Sequence, residues 1–253
     1  MPRLLLVFLK EPIPGCVKTR LAADLGEEEA TRIYRALVEV LLLQLRGLEN
    51  CRIRFCYTPD DADDAIRFWI LPYLNAQANG GDGADSYLIP APDGSTQQPQ
   101  EVDFSPQGKG DLGERLTRAF DQGFADGYSE IAVIGSDCPQ CGARWINAAF
   151  SRLTAMQSPA SVIGPSTDGG YYLLMLDAPQ PELFRQIPWS SELACKETQT
   201  AAQNISLPYT LLPPLSDVDT HSDWLKLLET PLGAALKKNL GIKPDALSFG
   251  EAD

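Results

Sequence analysis

Two stretches of this chain concentrate residues that could handle a charged ligand. Lys10 to Arg20 reads Lys-Glu-Pro-Ile-Pro-Gly-Cys-Val-Lys-Thr-Arg and carries Lys10, Lys18 and Arg20 in a protein that is otherwise acidic. Two prolines and Gly15 restrict this segment. Its backbone N–H groups and its cations could therefore meet an anion at low entropic cost. A surface turn with solvated lysines would use the same residues. It is not a P-loop, because Val17 and not glycine precedes Lys18. The second stretch is Ser136-Asp137-Cys138-Pro139-Gln140-Cys141. A carboxylate directly after a buried strand stands at the rim of a sheet, and Mg²⁺ suits one or two carboxylates completed by phosphate oxygens and waters. Asp137 could equally cap the helix that follows. Cys138 and Cys141 form a Cys-x-x-Cys, which opens a thiol redox reading.

Three further motifs are ambiguous singly. Gly108-Lys109-Gly110-Asp111-Leu112-Gly113 matches Gly-x-Gly-x-x-Gly, but the dinucleotide fingerprint must follow a strand, and Glu101 to Gln107 shows little strand signal. It reads as a loop into a helix that could line a pocket. Thr167-Asp168-Gly169-Gly170-Tyr171-Tyr172 lets a ligand approach the backbone at its paired glycines, or is a hairpin turn. In Asp217-Val218-Asp219-Thr220, extended chain points both aspartates to one face, where they could share a metal; alternatively Asp219 or Thr220 caps the next helix.

The positioning elements read as strands alternating with helices. Leu4 to Leu9 and Glu130 to Gly135 are continuous apolar runs, as in strands buried on both faces. Strands are also predicted at 51–57, 86–90, 161–164, 171–176 and 209–212. Helices are predicted at 27–48, 60–71, 111–124, 143–156 and 191–203, and from 221 onward. Segments 75–84 and 91–108 read as loops, and the segment after Leu240 as a peripheral tail (241–253). This order indicates an α/β protein with a mostly parallel sheet, whose ligands bind beyond the C-terminal strand ends. Both rich stretches fall at such ends.

With 253 residues, 44% of them hydrophobic, and no linker-like division, the chain reads as one domain. A net charge of −13 argues against non-specific nucleic-acid binding, yet leaves room for a small polyphosphate. Neither a signal peptide nor an apolar run of the roughly 20 residues needed for a membrane span is expected. Six irregularly spaced cysteines suggest reduced thiols in a cytoplasm.

Together, Lys10-x-Pro-x-Pro-Gly-x-Val-Lys-Thr-Arg-Leu21, Gly110-Asp-Leu-Gly-Glu-Arg115, Gly135-x-Asp-Cys-Pro139, Asp168-Gly-Gly-Tyr-Tyr-Leu173 and Asp217-Val-Asp-Thr220 resemble the bacterial DUF2064 proteins. These are also called selenodomain-associated transferase 1, of the GT-A-type nucleotide-diphospho-sugar transferase superfamily. The Lys-Thr-Arg-Leu run is also similar to the N-terminal loop of guanylyltransferases that make coenzyme F420 precursors. The resemblance implies a GT-A fold, three-layered α/β/α, with a nucleotide-binding N-terminal half and an acceptor-side C-terminal half. It implies Asp137 and Asp219 as ligands of Mg²⁺ or Mn²⁺, and Lys10, Gly15, Lys18, Thr19, Arg20, Gly110 and Asp111 as the nucleotide and phosphate side. Gly169, Gly170 and Tyr171 would border a small-molecule acceptor, with Asp168 as base for its hydroxyl. Gly135-Ser136-Asp137 carries one carboxylate where many glycosyltransferases have Asp-x-Asp. Sugar transfer from a nucleotide-diphosphate sugar is the implied activity; nucleotidyl transfer with release of pyrophosphate would use the same site.

Overall fold

In the computed structural model, residues 2–76, 86–88 and 100–241 are described. The strands are β1 (Arg3–Lys10), β2 (Cys51–Thr58), β3 (Asn75–Ala76), β4 (Ser86–Leu88), β5 (Gln100–Pro106), β6 (Glu130–Gly135), β7 (Ser161–Pro165), β8 (Tyr171–Leu176) and β9 (Tyr209–Leu211). The helices are α1 (Thr19–Leu25), α2 (Glu27–Gln44), α3 (Asp63–Ile70), α4 (Leu112–Ala125), α5 (Ala143–Thr154), α6 (Ala194–Asn204), α7 (His221–Leu228) and α8 (Pro231–Leu240).

Sheet order is β3-β4-β5-β2-β1-β6-β8-β7-β9. From β5 to β9 seven strands form the centre, and β8 alone among them runs antiparallel to its neighbours. This is the mostly parallel α/β sheet of the GT-A fold. β1 lies in the middle, paired in parallel with β2 and β6, which explains its unbroken apolar run. Leu5, Val7 and Leu9 pack under α2, α3 and α5. Leu4 and Leu6 face the opposite way, against Leu116 and Phe120 of α4, in a layer that also takes in Cys195 and Ala202 of α6. Three layers result. Ile33, Leu37 and Val40 on the far side of α2 pack against Trp224 and Leu227 of α7 and Leu236 of α8. So α2 is covered on two sides, which accounts for its width of apolar surface.

Three sequence expectations change. Part of the predicted loop 91–108 is a strand: β5 pairs in parallel with β2 at Ile53↔Val102 and Phe55↔Phe104. A charge within it hid the pattern, because Asp103 is neutralised across the strand by Arg54 at 2.6 Å and Arg52 at 3.2 Å. Segments 77–85 and 91–99 lie outside the described residues, as does the predicted tail after Gly241. The predicted loop 10–20 runs directly into α1, a helix that the pattern did not reveal. Finally, the helix from His221 is two helices, because Thr230 caps a new start with Pro231 in its first turn. Among the described residues no helix is long and apolar enough to cross a membrane.

Candidate active site

The C-terminal ends of β1, β5 and β6, the start of β8 and the Asp217–Asp219 segment converge on a cleft of about 890 Å³. Lys18 lies at its centre. This residue is the N-cap of α1 and adopts the left-handed conformation (φ 48, ψ 46), which costs an L-residue about 1–2 kcal/mol. The backbone so held turns the side chain inward: it is 3% exposed, with Nζ 2.9 Å from Oδ2 of Asp137 and 2.9 Å from Oδ1 of Asp219. Burial disfavours the Lys18 charge, but the two carboxylates outweigh it and hold the ammonium above the usual lysine range. Burial likewise opposes ionisation of Asp137, and Lys18 more than reverses that, keeping the carboxyl below its ordinary value. Arg20 approaches Asp219 Oδ2 at 3.7 Å from the mouth of the cleft.

Two polar chains fix this group. Tyr34, buried in α2, accepts the Lys10 backbone N–H at 2.8 Å and lies 3.1 Å from the Ser136 hydroxyl, which donates to Asp137 Oδ1 at 3.2 Å. The Val218 N–H donates to the Asp137 carbonyl at 3.2 Å, which ties the Asp217–Asp219 segment to the end of β6. Neither metal candidate caps a helix: Gly142 precedes α5, and Thr220 caps α7 in a reciprocal pair with Asp223.

Asp217 completes the group of acids. Burial, and then the charges of Asp137 and Asp168, push its carboxyl up to about 7. Asp168 accepts the Gly170 N–H at 2.9 Å and lines the cleft with Gly170 and Tyr171.

Not every predicted residue lines the cleft. Lys10, Thr19 and Gly110 do; Gly15, Asp111 and Gly169 do not. Asp111 is the N-cap of α4 and forms a capping box with Glu114, so its part is in starting the helix. Gly169 lies against the backbone of Glu192: a Cβ there would sit 2.0 Å from the Glu192 carbonyl oxygen, at φ 92. The Gly-x-Gly-x-x-Gly stretch does follow a strand, contrary to expectation. Its glycines nevertheless answer to neighbours in the protein, since Gly113 packs under the Phe184 carbonyl and the Trp189 ring, and Gly108 donates to Asp60 at 3.0 Å.

Sequence reasoning missed Gln107, Arg115 and the segment Trp189–Glu192, which all line the cleft. Gln107 is buried. Its amide donates to the carbonyls of Leu9 (3.2 Å) and Cys56 (2.8 Å), and its Oε1 accepts from Arg115 at 3.2 Å. Arg115 also bonds the Gly110 carbonyl at 3.0 Å and forms no ion pair among the described residues. A cation with only neutral partners keeps most of its charge for a ligand. Nothing in the local sequence marks Gln107 as buried. That follows from β5 being a strand.

Cys138 and Cys141 are 1% and 0% exposed, and burial, the main cause, pushes both thiols up. Redox cysteines need an accessible thiolate, and these two are packed into the core.

Asp137 and Asp219 could hold a divalent ion through oxygens of both carboxylates. Among the described residues no group of three or more His, Cys, Asp or Glu side chains forms a metal site by itself. Two carboxylates alone would need an ion completed by a ligand's oxygens, such as phosphate oxygens, as Mg²⁺ commonly is.

The family model described as "Uncharacterized protein conserved in bacteria (DUF2064)" matches residues 41–191. A candidate nucleotide-diphospho-sugar transferase from Desulfovibrio desulfuricans G20 has a similar structure: TM-score 0.73 and 28% identity, covering 94% of this chain and 96% of that one. A cytidylyltransferase from Leptospira borgpetersenii serovar Hardjo-bovis is more distant in sequence, at 12% identity and TM-score 0.51, covering 99% of this chain and 100% of that one. It shares the fold. No curated protein matches the chain.

Proposed function

The chain belongs to the DUF2064 family, and we propose that it is a transferase that takes a sugar from a nucleotide-diphosphate sugar and passes it to a hydroxyl of a small acceptor. The observation that carries this reading is the buried Lys18 ammonium set between Asp137 and Asp219 at the rim of a parallel sheet. Such a group can hold a diphosphate on both sides of its charge: the cation meets phosphate oxygens, and the carboxylates take a divalent ion shared with them. Mg²⁺ or Mn²⁺ bound there would supply charge neutralisation of the departing diphosphate.

The rest of the chemistry falls to the chain itself. Lys10, Arg20 and Arg115 line the cleft and would hold the phosphates and orient the nucleotide over β1 and β5. Fixed cations stabilise charge as it develops on the leaving diphosphate without reorganising. Asp168, exposed and oriented by the Gly170 N–H, would take the acceptor's proton. The similarity to the Desulfovibrio protein supports the donor class, and the single domain expected from the sequence is consistent with one continuous sheet carrying both sides of the cleft.

Incubation with nucleotide-diphosphate sugars and Mg²⁺ or Mn²⁺ tests this, with release of nucleoside diphosphate as the readout. Release of pyrophosphate that requires an intact nucleoside triphosphate would establish nucleotidyl transfer instead.

A further inference from the structure

The charges in the cleft are sorted by position. On the β5–β1 side stand Lys10, which ends β1, and Arg115, held by Gln107 just beyond β5. On the β6–β8–β7 side stand carboxylates: Asp168 at the start of β8 and Asp217, whose segment runs beside the end of β7 through the Ser166–Leu215 bridge and the Thr167–Leu215 hydrogen bond. Glu192 also lines the cleft, and its backbone packs directly on Gly169. Lys18 lies between the sides, paired with Asp137 and Asp219, and Arg20 stands at the mouth beside Asp219. Among the described residues none of the cations lining the cleft pairs with Asp168 or Glu192.

The same side offers hydroxyl and aromatic groups. Ser190 and Ser191 line it, and Trp189 stands edge-on to Tyr171 with ring centroids 6.4 Å apart. Carboxylates accept hydrogen bonds from hydroxyls, and an indole offers an apolar face to a C–H surface. A phosphate or carboxylate beside Asp168 would meet like charge with no cation paired there.

Resting on the sugar-transfer reading above, we propose that the acceptor is an uncharged polyhydroxylated small molecule, a sugar or sugar alcohol, and that phosphorylated acceptors are rejected by Asp168 and Glu192. In the transfer, the acceptor oxygen bonds to the donor's anomeric carbon as the bond from that carbon to the diphosphate breaks. The diphosphate leaves with the electron pair, and the hydroxyl proton passes to Asp168 and then to solvent.

Matched pairs of acceptors test this: glucose and glucose 6-phosphate, and glycerol and glycerol 3-phosphate among a wider set of such pairs. Donor binding is first measured by thermal shift with each nucleotide-diphosphate sugar and Mn²⁺. With donor bound, an unphosphorylated member should accelerate donor consumption at least tenfold more than its phosphate, and Glu192→Lys should narrow that ratio severalfold. Preference for the phosphates, no consumption with any pair while donor binding is intact, or an unchanged ratio in Glu192→Lys overturns the proposal. Absence of donor binding overturns the sugar-transfer reading itself, and so separates the two failures.

Discussion

The backbone N–H of Val218 donates to the carbonyl oxygen of Asp137 at 3.2 Å, joining the segment before α7 to the end of β6. That bond sets Asp219 beside Asp137, so that one lysine reaches both carboxylates at 2.9 Å. Everything proposed for the donor side depends on this junction.

Lys18→Met removes the shared cation while keeping an unbranched side chain one atom shorter. Hydrogen bonds to charged groups contribute about 1.5–3 kcal/mol, so donor binding should weaken about tenfold or more. Isothermal titration with a nucleotide-diphosphate sugar and Mn²⁺ measures this. Unaltered affinity would remove Lys18 from the phosphate site.

Asp137→Asn and Asp219→Asn each delete one carboxylate charge facing the ion. Each should raise the Mn²⁺ concentration for half-maximal donor binding roughly tenfold or more, since losing even an outer partner of a bound metal commonly costs about tenfold or more in affinity. EDTA should abolish donor binding by the parent protein. If neither substitution moves the Mn²⁺ curve, the ion is held elsewhere.

Asp217 links stability to pH. Its carboxyl is raised to about 7 by burial and by Asp137 and Asp168, so the folded protein retains a proton there that the unfolded chain releases near its ordinary 3.8. The contribution is fully present below 3.8 and is lost as pH rises through 7. In metal-free buffer, Asp217→Asn should therefore gain in Tm relative to the parent between pH 5 and 8, with little difference at pH 4. A parallel pair of Tm profiles would show that Asp217 ionises freely in the fold.

Gly169→Ala tests whether that glycine serves packing. The new methyl would lie 2.0 Å from the Glu192 carbonyl oxygen at a backbone angle that L-residues avoid. A loss of about 2–4 kcal/mol in unfolding free energy is expected from strain and overpacking together. Chemical denaturation gives the value, and wild-type stability would mean that the Glu192 segment yields freely.

Of the six cysteines, all free, only Cys16 is exposed. A thiol reagent should modify one group rapidly in the native protein and six in denaturant. Cys141→Ala should retain transfer activity. Rapid modification of Cys138 or Cys141 in the folded state would reopen the redox reading.

The order of strands and helices, the buried character of β1 and β6, and the rim position of Asp137 were legible because each rests on local periodicity: a strand covered on both faces must be apolar throughout, and a chain leaving it must turn at the sheet edge. The same local signals failed at β5. There the strand's charge is neutralised by Arg52 and Arg54, residues of another strand. They failed also at α1, which is seven residues long and begins on a left-handed lysine.

By itself, then, the sequence determined the class of fold, the family, and a set of cationic and acidic residues at strand ends. The tertiary structure decided which of them meet. Lys18 is set between two aspartates; Gly169 packs on a loop and Asp111 starts a helix; Gln107, which no motif marks, and Arg115, the end of the Gly110 motif, join the cleft. The physical reason is that an ion pair or a close backbone approach depends on distance in space, and strand pairing brings together residues that no local window contains.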